Sequence, residues 1–152
     1  MKKVGYILIF FTLVGCGFEP IYSKKNFYNI SLNNYTLQGD KDINRKLISI
    51  IDSGQKNKKS NIYDLILTSN KLIEVVAKDS LGNASVYKTV IKVDFILKNV
   101  NDGGKVFKAK TIVMESSYNN MKNKFDLVQY QNTVEENLIT AISDEVIIFI
   151  NS

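Results

Sequence analysis

The stretch Val86-Tyr87-Lys88-Thr89-Val90-Ile91-Lys92-Val93-Asp94-Phe95-Ile96-Leu97 decides the fold. Tyr87, Thr89, Ile91, Val93, Phe95 and Leu97 alternate with Val86, Lys88, Val90, Lys92, Asp94 and Ile96. Strict period two describes a strand with one face on a core and the other mostly wet. Asn101-Asp102-Gly103-Gly104 follows, and Asp-Gly and Gly-Gly tolerate the positive φ of a hairpin turn. Lys105 to about Ser116 reads as the returning strand, with Phe107, Ala109, Thr111 and Val113 on one side, and Ser117-Tyr118-Asn119-Asn120 leaves the sheet. On this reading Lys88 and Lys92 share the wet face with Lys108 and Lys110 of the partner strand. Cross-strand neighbours lie within several ångströms. Four lysines so placed are either a basic patch for a phosphorylated lipid or a solvated face chosen for solubility and edge protection.

Working upstream, Ile62 to about Asp79 is too β-branched to favour a helix, and Ser80-Leu81-Gly82-Asn83 punctuates it as a turn. Ile30, Leu32, Tyr35 and Leu37 make a weakly patterned first strand ending at Gly39-Asp40. Ile43, Leu47, Ile50 and Ile51 form one stripe of an amphipathic helix, with Asp40 or Asp42 as its cap and Gly54 as its end. Downstream, Asp126 to Ile150 is a long helix with Leu127, Tyr130, Val134, Leu138, Ala141, Ile142, Val146 and Phe149 on one side. The order β-α-β-β-β-α and a sheet with one wet face put both helices on the other face. The expectation is an α+β two-layer sandwich with a four-stranded sheet, forming one domain over residues 30–152.

The N-terminus has a different character. Lys2 and Lys3 precede an almost unbroken apolar run from Val4 to Val14, and Leu13-Val14-Gly15-Cys16 closes it. A basic start, a short apolar core and small residues at a cut site are the parts of a secretory signal peptide. The run is well short of the roughly 20 residues a spanning helix needs. A branched apolar residue three before Cys16 and Gly15 just before it match a lipobox. Residues 1–15 are then the signal peptide, cleavage falls between Gly15 and Cys16, and Cys16 carries the lipid. Residues 16–29, with the chain's one proline at Pro20, form the lipidated N-terminus and tether.

Composition narrows the chemistry. The 152 residues include one cysteine and no histidine, which removes disulfides, sulfur-based metal sites and the commonest general base. The formal charge is +5, and loss of Lys2 and Lys3 lowers it to about +3, too mild to indicate nucleic acid. A Ser/Lys dyad from Ser80 or Ser85 with Lys78 or Lys88 sits in a turn where polar residues are expected anyway. Glu135, Glu136, Asp144 and Glu145 read as a solvated helix face, and Gly103-Gly104 lacks the following helix of a phosphate cradle. No catalytic set, metal site or cofactor is expected, and the chain reads as a non-enzyme. Val146-Ile147-Ile148-Phe149-Ile150 is apolar all round, for burial of the helix end or for contact with a partner protein.

Three segments resemble the lipopolysaccharide-assembly lipoprotein of the outer-membrane translocon, the LptE family, in its alphaproteobacterial form. Gly15-Cys16-Gly17-Phe18-Glu19-Pro20-Ile21-Tyr22 is similar to the family's Gly-Cys-Gly-Phe-x-Pro-Leu-Tyr start. Tyr87 to Asn119, ending in Ser117-Tyr118-Asn119, resembles its central hairpin, and the C-terminal helix resembles the family's, which usually has more alanine. The resemblance implies a lipoprotein on the periplasmic side of the outer membrane, held there by its lipid anchor. Such a protein plugs the translocon β-barrel, aids its assembly and helps pass lipopolysaccharide to the cell surface. Gly17 after the lipidated cysteine, where aspartate would signal inner-membrane retention, implies the outer membrane. Lys88, Lys92, Lys108 and Lys110 are the candidate lipopolysaccharide contacts, and Tyr118 and Phe149 the candidate barrel contacts. Only Lys78 and Lys88 flank the 79–86 turn, fewer basic residues than direct lipid contact there would want. The alternative is a periplasm-facing lipid-binding or scaffold lipoprotein unrelated to lipopolysaccharide export.

Overall fold

The computed structural model describes residues 30–53 and 61–152. Cys16, the Gly15–Cys16 cleavage site, the tether and Gly54 lie outside the described residues. The elements are β1 (Ile30–Gly39), α1 (Lys41–Ser53), β2 (Asn61–Lys78), β3 (Ala84–Asn99), a 3₁₀ turn (Val100–Asp102), β4 (Lys105–Asn119) and α2 (Lys124–Asn151). They form a four-stranded sheet in the order β1-β2-β3-β4. β1 is parallel to β2, and the other two pairs are antiparallel. The order of elements and the α+β class are those the hydropathy pattern predicts.

Local chemistry fixes each corner. Asp40 accepts from the backbone N–H groups of Asp42 and Ile43 at 3.0 and 3.1 Å, so it is the cap of α1. Asn123 does the same for α2, accepting from Phe125 N–H at 2.9 Å. Between β1 and α1 the chain turns hard against β2. Gly39 has φ +85°, and a Cβ there would fall 1.8 Å from the Ser69 carbonyl oxygen, so only glycine fits. Asp40 N–H donates to that carbonyl at 3.1 Å, and Ser69 Oγ donates back to the Asp40 carbonyl at 3.1 Å.

One layer of side chains fills the space between sheet and helices. Ile91, Val93, Phe95 and Leu97 of β3 are fully buried with Leu65 and Leu67 of β2, Ile43, Leu47 and Ile51 of α1, and Ile142 and Val146 of α2. The inward face of β3 is therefore the one the period-two pattern predicts. Along α1, Asn44 is buried and Ile48 packs on the core, while Ile50 is only half-buried. On α2, Ile139, Ser143 and Ile150 join the buried side and Tyr130 is exposed.

The last strand departs from the sequence reading in two ways. It does not leave the sheet at Ser117: Tyr87 pairs with Tyr118 and Val86 with Asn119. Its faces are also reversed in part. Lys110 lies opposite Phe95 and Lys108 opposite Leu97, and directly opposed residues share a face. Both lysines are therefore on the helix side, not the wet side. Phe107, at the point where the register slips, stacks its ring 4.8 Å from that of the buried Tyr63, away from Ala109, Thr111 and Val113. The physical reason lies in α2, whose C-terminal turn overhangs this end of β4 and gives the two lysines carbonyl and carboxylate partners.

Candidate functional site

The four candidate lysines are not one patch. On the open sheet face Lys88 lies between Glu74 at 3.0 Å and Glu115 at 3.5 Å. The Glu74 hydrogen bond, reinforced by Glu115, holds the Lys88 ammonium above its ordinary pKa. Lys92 on the same face has Asp94 at 3.8 Å. On the other side of the sheet, Lys108 donates to the carbonyls of Phe149 and Ile150 at 2.9 and 3.2 Å, and Lys110 is paired with Glu145. Cross-sheet carboxylates neutralise Lys88, leaving Lys92 the more open cation of the outward pair.

The candidate partner contacts are also drawn inward. Tyr118 is 4% exposed, with its hydroxyl 3.2 Å from the Thr89 hydroxyl and its ring 5.9 Å from both Tyr87 and Tyr130. A residue so covered has no surface to give a partner. Phe149 meets Phe95 edge-on at 6.3 Å, with Lys108 and Lys110 each 5.4 Å from its ring centroid. At that helix end it is Ile148 that points to solvent. Lys88, one of the two lysines considered beside Ser80 or Ser85, is paired with Glu74 and Glu115 instead. Glu135 is not merely solvated: it accepts from Lys71 at 2.7 Å in a cleft of about 470 Å³ between the helices. Every cation lining that cleft has a carboxylate partner: Lys71 with Glu135, Lys46 with Glu136, and Arg45 with Asp42.

What sequence reasoning missed is the far end of the β2–β3 hairpin, which runs past the cover of the helices. Leu72 and Val76 are exposed there, and so are Ile73 and Val75 on β2. Ile73 pairs with the buried Thr89, so it lies on the helix side, whereas Leu72 pairs with Val90 on the open side. This end is apolar on both faces. At its apex Leu81 is 84% exposed, in a loop tied by Asp79. The Asp79 carboxylate accepts from the N–H groups of Asn83 and Leu81 at 2.8 and 2.9 Å. The Asn83 bonds chiefly hold its carboxyl below its ordinary pKa. Asn120 anchors the neighbouring chain by donating to the Ala84 and Ser85 carbonyls at 2.7 and 2.8 Å. The start of α2 adds Phe125, 67% exposed, and Val128. The available signal was a leucine set among turn formers, after Leu72-Ile73-Glu74-Val75-Val76 with no clean alternation. No helix among the described residues is long and apolar enough to cross a membrane.

No family model and no curated protein sequence matches the chain. Solved structures do match in fold. Rare lipoprotein B of Shewanella oneidensis is 17% identical, with a TM-score of 0.52 over 75% of this chain and 90% of that one. A lipoprotein of Caulobacter crescentus CB15 is 14% identical, with a TM-score of 0.56 over 80% and 86% of the two chains. A minor lipoprotein of Acinetobacter baumannii is 13% identical, with a TM-score of 0.52 over 75% and 88%. At these identities the likeness is one of fold, and all three neighbours are bacterial lipoproteins.

Proposed function

We propose that this chain is a lipoprotein of the outer membrane, held on its periplasmic side through Cys16, that partners and plugs the β-barrel of the lipopolysaccharide translocon. In this reading it aids assembly of the barrel and delivery of lipopolysaccharide to the surface, and carries out no reaction of its own. The observation that carries the reading is the hairpin end, apolar on both faces, with Leu72, Ile73, Val75, Val76 and Leu81 all exposed. A flat partner covers one face of a strand pair, whereas an element exposed on both sides calls for a partner that encloses it. The lipobox at Leu13-Val14-Gly15-Cys16 and the fold shared with other bacterial lipoproteins support the same reading. Any direct lipopolysaccharide contact falls to Lys92 on the open face, because Lys88, Lys108 and Lys110 are engaged within the fold.

Co-purification from detergent-solubilised outer membranes tests this. The wild-type chain should bring down a large β-barrel protein. Val76→Asp with Leu81→Asp should lose it while the purified domain keeps its melting temperature, since both side chains are exposed. Mass spectrometry of the mature N-terminus should find three acyl chains on Cys16. Retention of the barrel by the double variant removes the hairpin from the interface. Absence of a barrel from the wild-type sample leaves the unrelated scaffold lipoprotein as the function.

A further inference from the structure

The two edges of the sheet are finished differently. On β1 the register with β2 slips between Leu32 and Tyr35, and Asn44 Nδ2 donates to the Gln38 carbonyl at 2.8 Å. A bulge and a capped carbonyl both blunt an edge. β4 lies at the other end of the sheet order and has no strand on its outer side among the described residues. It pairs with β3 in unbroken register from Lys108 to Asn119, and lacks proline. Lysines normally guard such an edge. Here the ammonium groups of Lys108 and Lys110 are drawn under α2 to the Phe149 and Ile150 carbonyls and to Glu145. Glu115 is drawn toward Lys88 at 3.5 Å. Thr111 to Asn119 is thus a long edge in unbroken register whose one charge, Glu115, is turned away from it.

We propose that this edge pairs with the same edge of a second copy, joining two four-stranded sheets into one. The occupant follows from the side-chain pattern. An antiparallel pairing with Val113 opposite its own copy sets Thr111 opposite Glu115, Lys110 opposite Ser116, Ala109 opposite Ser117 and Lys108 opposite Tyr118. No like charges meet in this register, so the pairing carries no electrostatic penalty along the strand. Val113, 54% exposed in the single chain, is covered by its twin on the two-fold axis. A two-fold normal to the sheet keeps both α2 helices on the same face, where they lie side by side and antiparallel across the axis. The interface is isologous and closes on itself. It belongs to the free chain and stands whether or not a barrel is the partner.

The mature chain, residues 16–152, carrying Cys16→Ser supplies protein without the signal peptide or the lipid and with no other cysteine. Sedimentation equilibrium should find a dimer, and Val113→Lys, which opposes two ammonium groups on the axis, should weaken it at least about tenfold with the melting temperature unchanged. Under mild oxidation Val113→Cys should form a disulfide-linked dimer, because directly opposed residues meet the Cβ separation that a disulfide needs. Thr111→Cys should not, since its twin is four residues away along the strand. A monomeric chain overturns the proposal. So does a dimer indifferent to Val113→Lys, or equal cross-linking at both positions. A monomer that takes up an extended segment of another protein at Val113 would assign this edge to that partner instead.

Discussion

Lys108 of the sheet donates to the Phe149 carbonyl at 2.9 Å and the Ile150 carbonyl at 3.2 Å, closing the last turn of α2. α2 supplies no cation of its own there, since its last turn has no basic residue, and its own contribution at the Phe149 carbonyl is the neutral Ser152 hydroxyl, donating at 2.9 Å. The final carbonyls of a helix carry partial negative charge, and a cation there contributes about 0.3–2 kcal/mol. Lys108→Met keeps the stem over the rings of Phe107 and Phe149 but removes the charge. It should cost about 1 kcal/mol and release amide protection selectively at Ile148 to Asn151 in hydrogen exchange. Unchanged protection there would make the lysine a bystander.

That contact also marks the limit of what the sequence reveals. β3 was legible because Ile91, Val93, Phe95 and Leu97 alternate without interruption, and the stripes of both helices were legible from their helical spacing, apart from Ile50, half-buried, and Tyr130, exposed. β4 mixes two patterns on its inward side: Lys108 and Lys110 under the helix terminus, then Ile112 and Tyr118 in the core. A local rule that lysine faces water assigns the first pair to the wrong side, because the carbonyls that attract Lys108 and the Glu145 carboxylate that attracts Lys110 come from residues 35 to 42 positions later. Tyr118 misleads by a similar route. Its hydroxyl reads as a surface group until Thr89 appears 3.2 Å away. The apolar hairpin end was hidden for a further reason, since exposure on both faces depends on where the helices stop.

The core face of β3 yields a sharp contrast between close neighbours. Phe95 is fully buried, against Phe149, and Phe95→Ala should cost about 3–5 kcal/mol. Lys92, on the open face, should cost no more than about 0.5 kcal/mol when changed to Ala. Thermal or urea unfolding of the two variants checks both values, and equal shifts would reverse the assigned faces.

Gly39 should tolerate nothing larger. A Cβ would sit 1.8 Å from the Ser69 carbonyl oxygen, at a φ of +85°. That carbonyl is backbone of the central strand β2 and cannot step aside without breaking the Asp40–Ser69 hydrogen bonds. Gly39→Ala should therefore lower the melting temperature far more than Gly82→Ala, where nothing lies within 4 Å of the added carbon. Both glycines have positive φ, so the comparison isolates the steric clash from the backbone preference. Similar losses at the two positions would assign the whole effect to φ.

Lys71 provides the pH test. Its ammonium donates to Glu135 at 2.7 Å and lies 3.8 Å from Asp40. The Glu135 hydrogen bond raises its pKa above the ordinary 10.5, against an opposing desolvation. A group whose folded pKa lies above its unfolded value stabilises the fold fully below the unfolded pKa and loses that contribution as pH rises through the folded one. The stability of wild type over Lys71→Gln should therefore be level up to about pH 10 and shrink at higher pH. The plateau should be about 0.5–1 kcal/mol, because both side chains keep some solvent contact. Glu135→Gln should abolish most of the same difference, since the hydrogen bond to Glu135 is the leading cause of the shift. Urea unfolding of the wild type and the single and double variants between pH 7 and pH 11.5 (about one unit beyond the ordinary lysine value) reads this directly. A gap that widens with alkali would show that Lys71 is held by something other than its charge.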